Sequence, residues 1–147
     1  MGRSRGGFST KFHLVCEGQG LPLSIAIGPG QEHETQHVIS LVEHLPELRG
    51  PSGVASWPAK FAGDKGYSAG WVRQFLQERG FTPVIAHRNN ETRPETFDRE
   101  AYRQRNLIER CVGRLKEFRR IATRYEKLGL HYLGMLHLGM ILLWLGT

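Results

Sequence analysis

The stretch from residue 97 to residue 127 constrains the fold most, because its polar and apolar residues both recur at helical intervals. The polar members are three, four and seven residues apart: Tyr102, Arg105, Glu109 and Lys116. At about 100° per residue they fall in a stripe about 60° wide on one helix face. The apolar members follow an adjoining stripe: Ile108, Cys111, Leu115 and Phe118. The spacing therefore predicts one amphipathic helix, with Asp98 near its start.

Two interpretations of the polar stripe are open. It could be a solvated face with ion pairs such as Arg105–Glu109, each worth a few tenths of a kcal/mol. It could instead present Glu109 to a metal ion, with the neighbouring cations holding a polyanion. Spacing alone does not choose between them.

The charge distribution indicates a polyanionic partner. The net charge is +6, from 20 Lys and Arg against 14 Asp and Glu. Residues 88–127 hold twelve Lys or Arg and seven Asp or Glu, and the first sixteen residues add three basic residues with no acid. A basic band of this kind is typical of proteins that contact nucleic-acid phosphates.

The rest of the chain reads as alternating strands and helices. Residues 8–16 and 21–27 predict an antiparallel hairpin, because apolar residues alternate on either side of a Gly-containing turn. Residues 33–45 and 69–79 have helical periodicity, and the second segment is expected to point four residues inward: Trp71, Val72, Phe75 and Leu76. Residues 60–63 and 81–86 predict short strands, the first ending at Asp64. Residues 46–60 and 87–96 are expected to be loops.

The two ends of the chain have contrasting compositions. Residues 1–7 are rich in Gly and Arg and are expected to form a flexible lead-in. Residues 128–147 carry no formal charge, but His131, His137 and several glycines interrupt them. We therefore expect an apolar C-terminal helix that is buried rather than membrane-spanning. Cys16 and Cys111 have no paired spacing and are expected to be buried thiols in a reducing cytosol.

The sequence His33-Glu34-Thr35-Gln36-His37 matches the H-E-x-x-H zinc-hydrolase pattern. On an α-helix the two histidines would share a face and Glu34 could act as general base. The match lies at a predicted helix start, and no third ligand follows at a recognisable spacing. A zinc hydrolase is therefore a remote alternative. The competing interpretation is structural: the acidic residues lie at a helix start, near the positive end of the helix dipole.

Several segments together resemble the DDE transposases of bacterial insertion sequences. Tyr102-x2-Arg105-x3-Glu109-x6-Lys116 resembles their Tyr-Arg-Glu-Lys signature. The segments 2–11, 29–34, 62–67 and 121–128 agree in order. The resemblance is strongest to the group of insertion sequence five, within the insertion-sequence-four-like superfamily, and it covers nearly the whole chain.

This resemblance implies a fold, a reaction and a site. The fold would be α/β, a ribonuclease-H-like mixed sheet flanked by helices. The reaction would be metal-dependent cleavage and strand transfer of DNA. The cofactor would be Mg²⁺, with Mn²⁺ as a possible substitute. The protein would act in the bacterial cytoplasm, at the nucleoid. Asp64 and Glu109 would be the catalytic metal ligands. DNA phosphates would be contacted by Tyr102, Arg105, Arg110, Arg114 and Lys116.

The sequence departs from the family pattern at one ligand. The family's first Asp stands on a strand before the hairpin, whereas the aspartates here are Asp64 and Asp98. Residues 1–147 are thus expected to be the C-terminal part of a catalytic domain that lacks its first central strand and is inactive alone. Its expected partners are DNA, further copies of the chain and an upstream-frame transposase segment. A non-catalytic DNA-binding remnant is the alternative.

Overall fold

The computed structural model describes residues 2–4, 7–46, 60–89, 91 and 97–146. The chain forms two compact units. The first contains Met1–Leu45 and Leu107–Thr147, and the second contains Pro46–Asn106. Most of the two predicted loops, 46–60 and 87–96, lies outside the described residues.

The first unit begins with a three-stranded antiparallel sheet, in the order β1 (Gly2–Ser4), β2 (Gly7–Cys16) and β3 (Pro22–Pro29). The β2–β3 pair confirms the predicted hairpin, with Phe12 opposite Ile27. Its turn is closed by Glu17, whose carboxylate accepts the backbone N–H groups of Gln19 and Leu21 at 2.8 and 2.9 Å. Gly20 has a φ of 84°, which glycine adopts without strain.

Strand β1 differs from the flexible lead-in that the composition predicts. Gly2 is paired with Ser9 and Ser4 with Gly7 in an antiparallel register. Pairing of this kind uses backbone donors and acceptors, so a segment without apolar side chains can still join a sheet edge. Met1, Arg5 and Gly6 lie outside the described residues.

Helices pack against both faces of this sheet, because His13 stacks on His37 whereas Phe12 and Leu14 point the other way, into the C-terminal core cluster. After β3 the single 3₁₀ turn Glu34–His37 leads into α1 (Val38–Glu43), which buries Val38, Leu41 and Val42. The C-terminal half of the unit contains α4 (Asn106–Glu117), α5 (Arg119–Thr123) and α6 (Gly129–Leu145). Their buried side chains form one core cluster with strand residues packed against it: Cys111, Leu115, Ile121, Tyr132, Leu136, Met140 and Leu143, with Phe12, Leu14, Ile25 and Ile27.

Helix α6 confirms the predicted apolar C-terminal helix, but the prediction that it is buried was wrong for one side, where Leu130 and Leu145 are 77% and 70% exposed. At Gly139 it approaches α5 closely, since a Cβ there would lie 2.7 Å from Cδ1 of Ile121. The indole Nε1 of Trp144 donates a 2.7 Å hydrogen bond to the carbonyl oxygen of Pro22. No helix in the described part of the chain is long and apolar enough to cross a membrane.

The second unit contains a β-α-β arrangement. Strand β4 (Lys60–Gly63) pairs in parallel with β5 (Thr82–Ile85), and α2 (Gly70–Glu78) connects them. Val72 and Leu76 are fully buried, as predicted, but Trp71 is 44% exposed. The prediction for Trp71 was wrong because residues 72 and 76, one helical turn apart, define the inward face. Helix α3 (Arg99–Arg103) follows β5.

These elements confirm an α/β fold at the level of class. The described strands form a three-stranded antiparallel sheet in the first unit and a two-stranded parallel sheet in the second. The ribonuclease-H-like sheet and its missing central strand stay predictions.

Candidate active site

Asp64 lies at the carboxyl end of β4, the edge of a parallel sheet at which open α/β proteins bind their ligands. Its backbone is extended, and it caps the single 3₁₀ turn Lys65–Tyr67. Oδ1 accepts the backbone N–H of Gly66 at 2.8 Å. The residue is exposed, so the strand and its turn present an oriented carboxylate to solvent.

The turn after Asp64 is held by an arginine that follows β5. Nε of Arg88 donates to the carbonyl oxygen of Lys65, and Nη2 donates to that of Gly66, each at 3.3 Å. The backbone N–H of Arg88 in turn donates to the Glu91 carboxylate at 3.3 Å.

Glu91 also connects this segment to α2. Its carboxylate accepts a short hydrogen bond from the Ser68 hydroxyl and lies 3.3 Å from Nη2 of Arg73. Arg73 donates to Ser68 Oγ at 2.6 Å and to the carbonyl oxygen of Ile85 at 3.2 Å. The hydrogen bond from Ser68, with smaller contributions from Arg88 and Arg73, lowers the pKa of Glu91. No local sequence pattern reveals this network, because its members lie on separate segments with no recurring spacing.

Tyr102 and Arg105 lie in the second unit, at and just beyond the end of α3. Asp98 caps this helix by accepting the backbone N–H of Ala101 at 2.9 Å, and its other oxygen accepts from Lys60 Nζ at 2.7 Å. The hydrogen bond from Lys60 is the main cause that lowers the pKa of Asp98. The Arg105 guanidinium lies 5.7 Å from the centre of the Tyr102 ring, in cation–π contact.

The predicted single helix through all four signature residues is wrong. Helix α3 ends at Arg103, and α4 begins at Asn106. The backbone N–H of Arg105 bonds to the carbonyl of Tyr102, three residues back, which tightens and closes the last turn. Periodicity measures spacing, and it cannot detect a two-residue interruption that leaves the spacing near helical.

Helix α4 carries the other predicted site residues. Glu109 lies in its first turn, where the helix dipole favours a carboxylate, and Lys116 lies in its last turn. Glu109, Arg110 and Lys116 are exposed, and Arg114 is half-buried. Cys111 and Leu115 are fully buried, so the predicted division of this helix into an apolar and a polar side is confirmed.

The two thiols are poor candidates for chemistry. Both cysteines are free, and burial raises the pKa of Cys16 to about 12 and that of Cys111 to about 11. A thiol with such a pKa is almost entirely protonated near neutral pH and is therefore a weak nucleophile. Cys111 is buried, as predicted, whereas Cys16 is only partly buried.

The zinc alternative is contradicted by the local geometry. Residues 34–37 form a single 3₁₀ turn, and His33 caps it from outside, with Nδ1 2.9 Å from the Thr35 hydroxyl. His37 stacks on His13 with 4.1 Å between ring centres, and its Nε2 lies 3.1 Å from Glu32. Glu34 is paired with Lys11 at 2.6 Å. The α-helical turn that the motif requires is therefore not formed.

The available donors suit a hard divalent cation in part. Asp64 and Glu109 are exposed carboxylates, and Mg²⁺ prefers such oxygens while keeping several waters. Within the described ranges no group of three or more His, Cys, Asp or Glu could hold a metal ion. Each carboxylate therefore suits Mg²⁺ by its chemistry; Asp64 belongs to the second compact unit and Glu109 to the first.

Comparison with known proteins identifies the class. A family model described as the transposase DDE domain matches residues 2–144, so the chain belongs to the DDE transposases. This membership supports a general role in DNA transposition.

Two relatives are named as transposases. The chain is 33% identical over 139 residues to the putative transposase for insertion sequence element IS6501 from Brucella ovis, covering 93% of this chain and 98% of that protein. It is 29% identical over 126 residues to the putative transposase for insertion sequence element IS402 from Burkholderia cepacia. That match covers 85% of this chain and 56% of the relative, so the chain spans about half of the longer protein. No solved structure matches.

Proposed function

We propose that this chain supplies part of the active site for metal-dependent cleavage and strand transfer of insertion-sequence DNA. The observation that carries the proposal is the exposed Asp64 carboxylate at the carboxyl edge of the parallel pair, in a chain that belongs to the DDE transposases. Asp64 and Glu109 are the proposed ligands of Mg²⁺, for which Mn²⁺ could substitute. When bound, the divalent ions activate the attacking oxygen and stabilise the leaving oxygen.

The basic residues near Glu109 are proposed to hold the DNA backbone. Arg110 and Lys116 are exposed on α4, and Arg114 is half-buried beside them. Arg105 lies against the ring of Tyr102, which limits its freedom before it meets a phosphate. Arg and Lys contacts to phosphates position DNA without reading its sequence. These residues therefore orient the substrate, while the two carboxylates carry the metal.

The experiment that tests the proposal measures strand transfer with Mg²⁺ or Mn²⁺. We expect no activity from this chain alone, because two carboxylates hold two divalent ions weakly. Activity should appear when the upstream transposase segment is supplied, and Asp64→Ala and Glu109→Ala should each abolish it. The control is Arg99→Ala, which changes an exposed arginine.

The remaining outcomes of this assay are informative. Activity of the isolated chain that depends on both carboxylates would refute the proposed need for another ligand. DNA binding without activity under every condition would favour the second candidate, a non-catalytic DNA-binding remnant. The group of insertion sequence five and a bacterial cytoplasmic, nucleoid-associated location are part of the same proposal.

We further propose that α6 mediates self-association. Its exposed side carries large apolar residues at spacings typical of a helix–helix seam, with Gly134 between the first two: Leu130, Leu138, Ile141 and Leu145, which are 77%, 54%, 54% and 70% exposed. Residues 128–147 carry no formal charge, so a complementary surface must also be uncharged and apolar. A second copy related by two-fold symmetry supplies such a surface.

This seam has a direct test. Contiguous exposed apolar patches larger than a few hundred Å² are rare on proteins that stay monomeric. Light scattering should give a mass that rises above the monomer with concentration, and Leu138→Glu should return it to the monomer. Gln77→Glu on α2 adds the same charge at another exposed site and should not. If the chain stays monomeric at all concentrations and binds the upstream segment through α6, self-association is refuted and that segment is the partner of α6.

A further inference from the structure

The polar network beside Asp64 links the carboxyl ends of β4 and β5. Arg88 follows β5 and reaches the turn that follows β4, so it joins the carboxyl ends of the two parallel strands. Both carbonyls that it binds belong to the turn Lys65–Tyr67. The N–H of Gly66, in the middle of that turn, is the group that fixes Oδ1 of Asp64.

We propose that Arg88 is a positioning residue for Asp64, acting through the backbone of residues 65 and 66. The carbonyl oxygens of a single isolated turn have few partners within it, so the turn alone is weakly held. A guanidinium that donates to two successive carbonyls fixes their orientation, because its N–H groups form a rigid planar fork. Fixing Gly66 in this way also fixes the carboxylate that its N–H holds. The inference rests on the proposed metal-binding role of Asp64.

Glu91 keeps Arg88 in place. Its carboxylate accepts the Arg88 backbone N–H and pairs with Arg73, which is itself bound to the carbonyl of Ile85 at the end of β5. The network is therefore anchored on α2 and β5. Ligand-orienting interactions of this kind commonly change metal affinity by about 10- to 100-fold when they are removed.

The principal competing role for Arg88 is a direct contact with a DNA phosphate. Two of its guanidinium nitrogens are directed at protein carbonyls, and the residue is half-buried. The two roles differ in a measurable way. A phosphate contact would change DNA affinity but not metal binding in the absence of DNA.

The test uses the full chain without DNA, labelled with ¹⁵N and titrated with Mn²⁺. Paramagnetic broadening of the Lys65 and Gly66 amides reports metal at Asp64, and Asp64→Asn should abolish it. In Arg88→Ala we expect apparent Mn²⁺ affinity to fall by about tenfold or more. Arg88→Lys should fall in between, since an ammonium is a point donor rather than a planar fork. Arg99→Ala is the control for loss of one Arg charge elsewhere in the same unit.

A second readout needs no metal. Hydrogen exchange of the Gly66 amide should be faster in Arg88→Ala and Arg88→Lys than in the wild type, while amides within α2 keep their protection. If Arg88→Ala fails to fold, Arg88→Lys carries both measurements.

The outcomes separate the inference from the function beneath it. Wild-type Mn²⁺ broadening that is unchanged in both Arg88 variants would overturn the inference. If the wild type shows no Asp64-dependent broadening, the proposed metal site fails, and Gly66 exchange then decides the role of Arg88. An unchanged exchange rate of the Gly66 amide in both Arg88 variants would also overturn the inference that Arg88 positions Asp64.

Discussion

At the scale of single residues, two glycines on α6 differ in how closely other side chains pack against them. A Cβ at Gly139 would lie 2.7 Å from Cδ1 of Ile121 and 3.1 Å from Cδ2 of Leu115, and both side chains are buried. A Cβ at Gly134, on the same helix, would have nothing within 4 Å.

These positions give a matched pair of substitutions. Gly134→Ala should raise the free energy of unfolding by up to about 1 kcal/mol, because alanine favours helix. Gly139→Ala gains the same helix preference but should be less stable than Gly134→Ala by about 1–3 kcal/mol, the usual cost of overpacking. Urea denaturation measures both. Equal stabilities would show that α5 and α6 are not in close contact at Gly139.

Glu91 gives the network a pH dependence with a defined sign. Its pKa is lowered in the folded protein, chiefly by the Ser68 hydrogen bond. The unfolded chain therefore takes up a proton at higher pH than the folded chain does. The stability from this group is fully present above the ordinary Glu pKa and is lost as pH falls through the lowered value.

The corresponding measurement is thermal unfolding at a series of acidic pH values. Glu91→Gln should lower the melting temperature near neutral pH and should weaken its decline in acid. Glu117→Gln, which removes an exposed carboxylate on α4, is the comparison variant. An acid decline in Glu91→Gln as steep as in the wild type would contradict the assignment.

At the scale of secondary-structure elements, the break between α3 and α4 is the feature with measurable consequences. The amide of Arg105 bonds to the carbonyl of Tyr102, three residues back in 3₁₀-like geometry, and the amide of Gln104 is directed at the same carbonyl. Amides of residues 104–106 should therefore exchange with solvent faster than those of residues 111–115, which lie within a continuous helix. Uniform protection from residue 99 to residue 117 would instead indicate one helix in solution.

Local patterns predicted most elements, because period and turn residues are properties of short segments. The hairpin, α2, β5 and α6 follow from alternation or helical spacing. The α3–α4 break and the exposure of Trp71 depend on capping and on the final packed face, which spacing does not encode. The Arg88 network depends on contacts between separate segments, so no local pattern could have revealed it.

The candidate site was predictable only as a list of residue types. Asp64 was expected at a strand end and is found there. The sharing of metal by Asp64 and Glu109, and the phosphate roles of the basic residues, stay predictions that motif resemblance supports. Family membership turned the general role in transposition from an expectation into a finding.

At the scale of the whole molecule, the positive charge should govern DNA binding. Affinity for duplex DNA should be largely independent of sequence and should fall steeply with salt, with a logarithmic slope of about −0.9 per phosphate contacted. Lys116→Ala should reduce the magnitude of this slope by about one. Filter binding at several salt concentrations measures it, with Arg79→Ala, at the C-cap of α2, as the charge-matched control. A flat salt dependence would refute the electrostatic account.

The first compact unit is assembled from two stretches separated by more than sixty residues of the second unit. Trp144 on α6 bonds to Pro22 across 122 positions of sequence. During synthesis the hairpin therefore leaves the ribosome long before the helices that cover it. Its apolar face stays exposed until those helices have been made. Nascent chains halted before residue 129 should thus bind chaperones that recognise exposed apolar strands, and release should coincide with the appearance of α6.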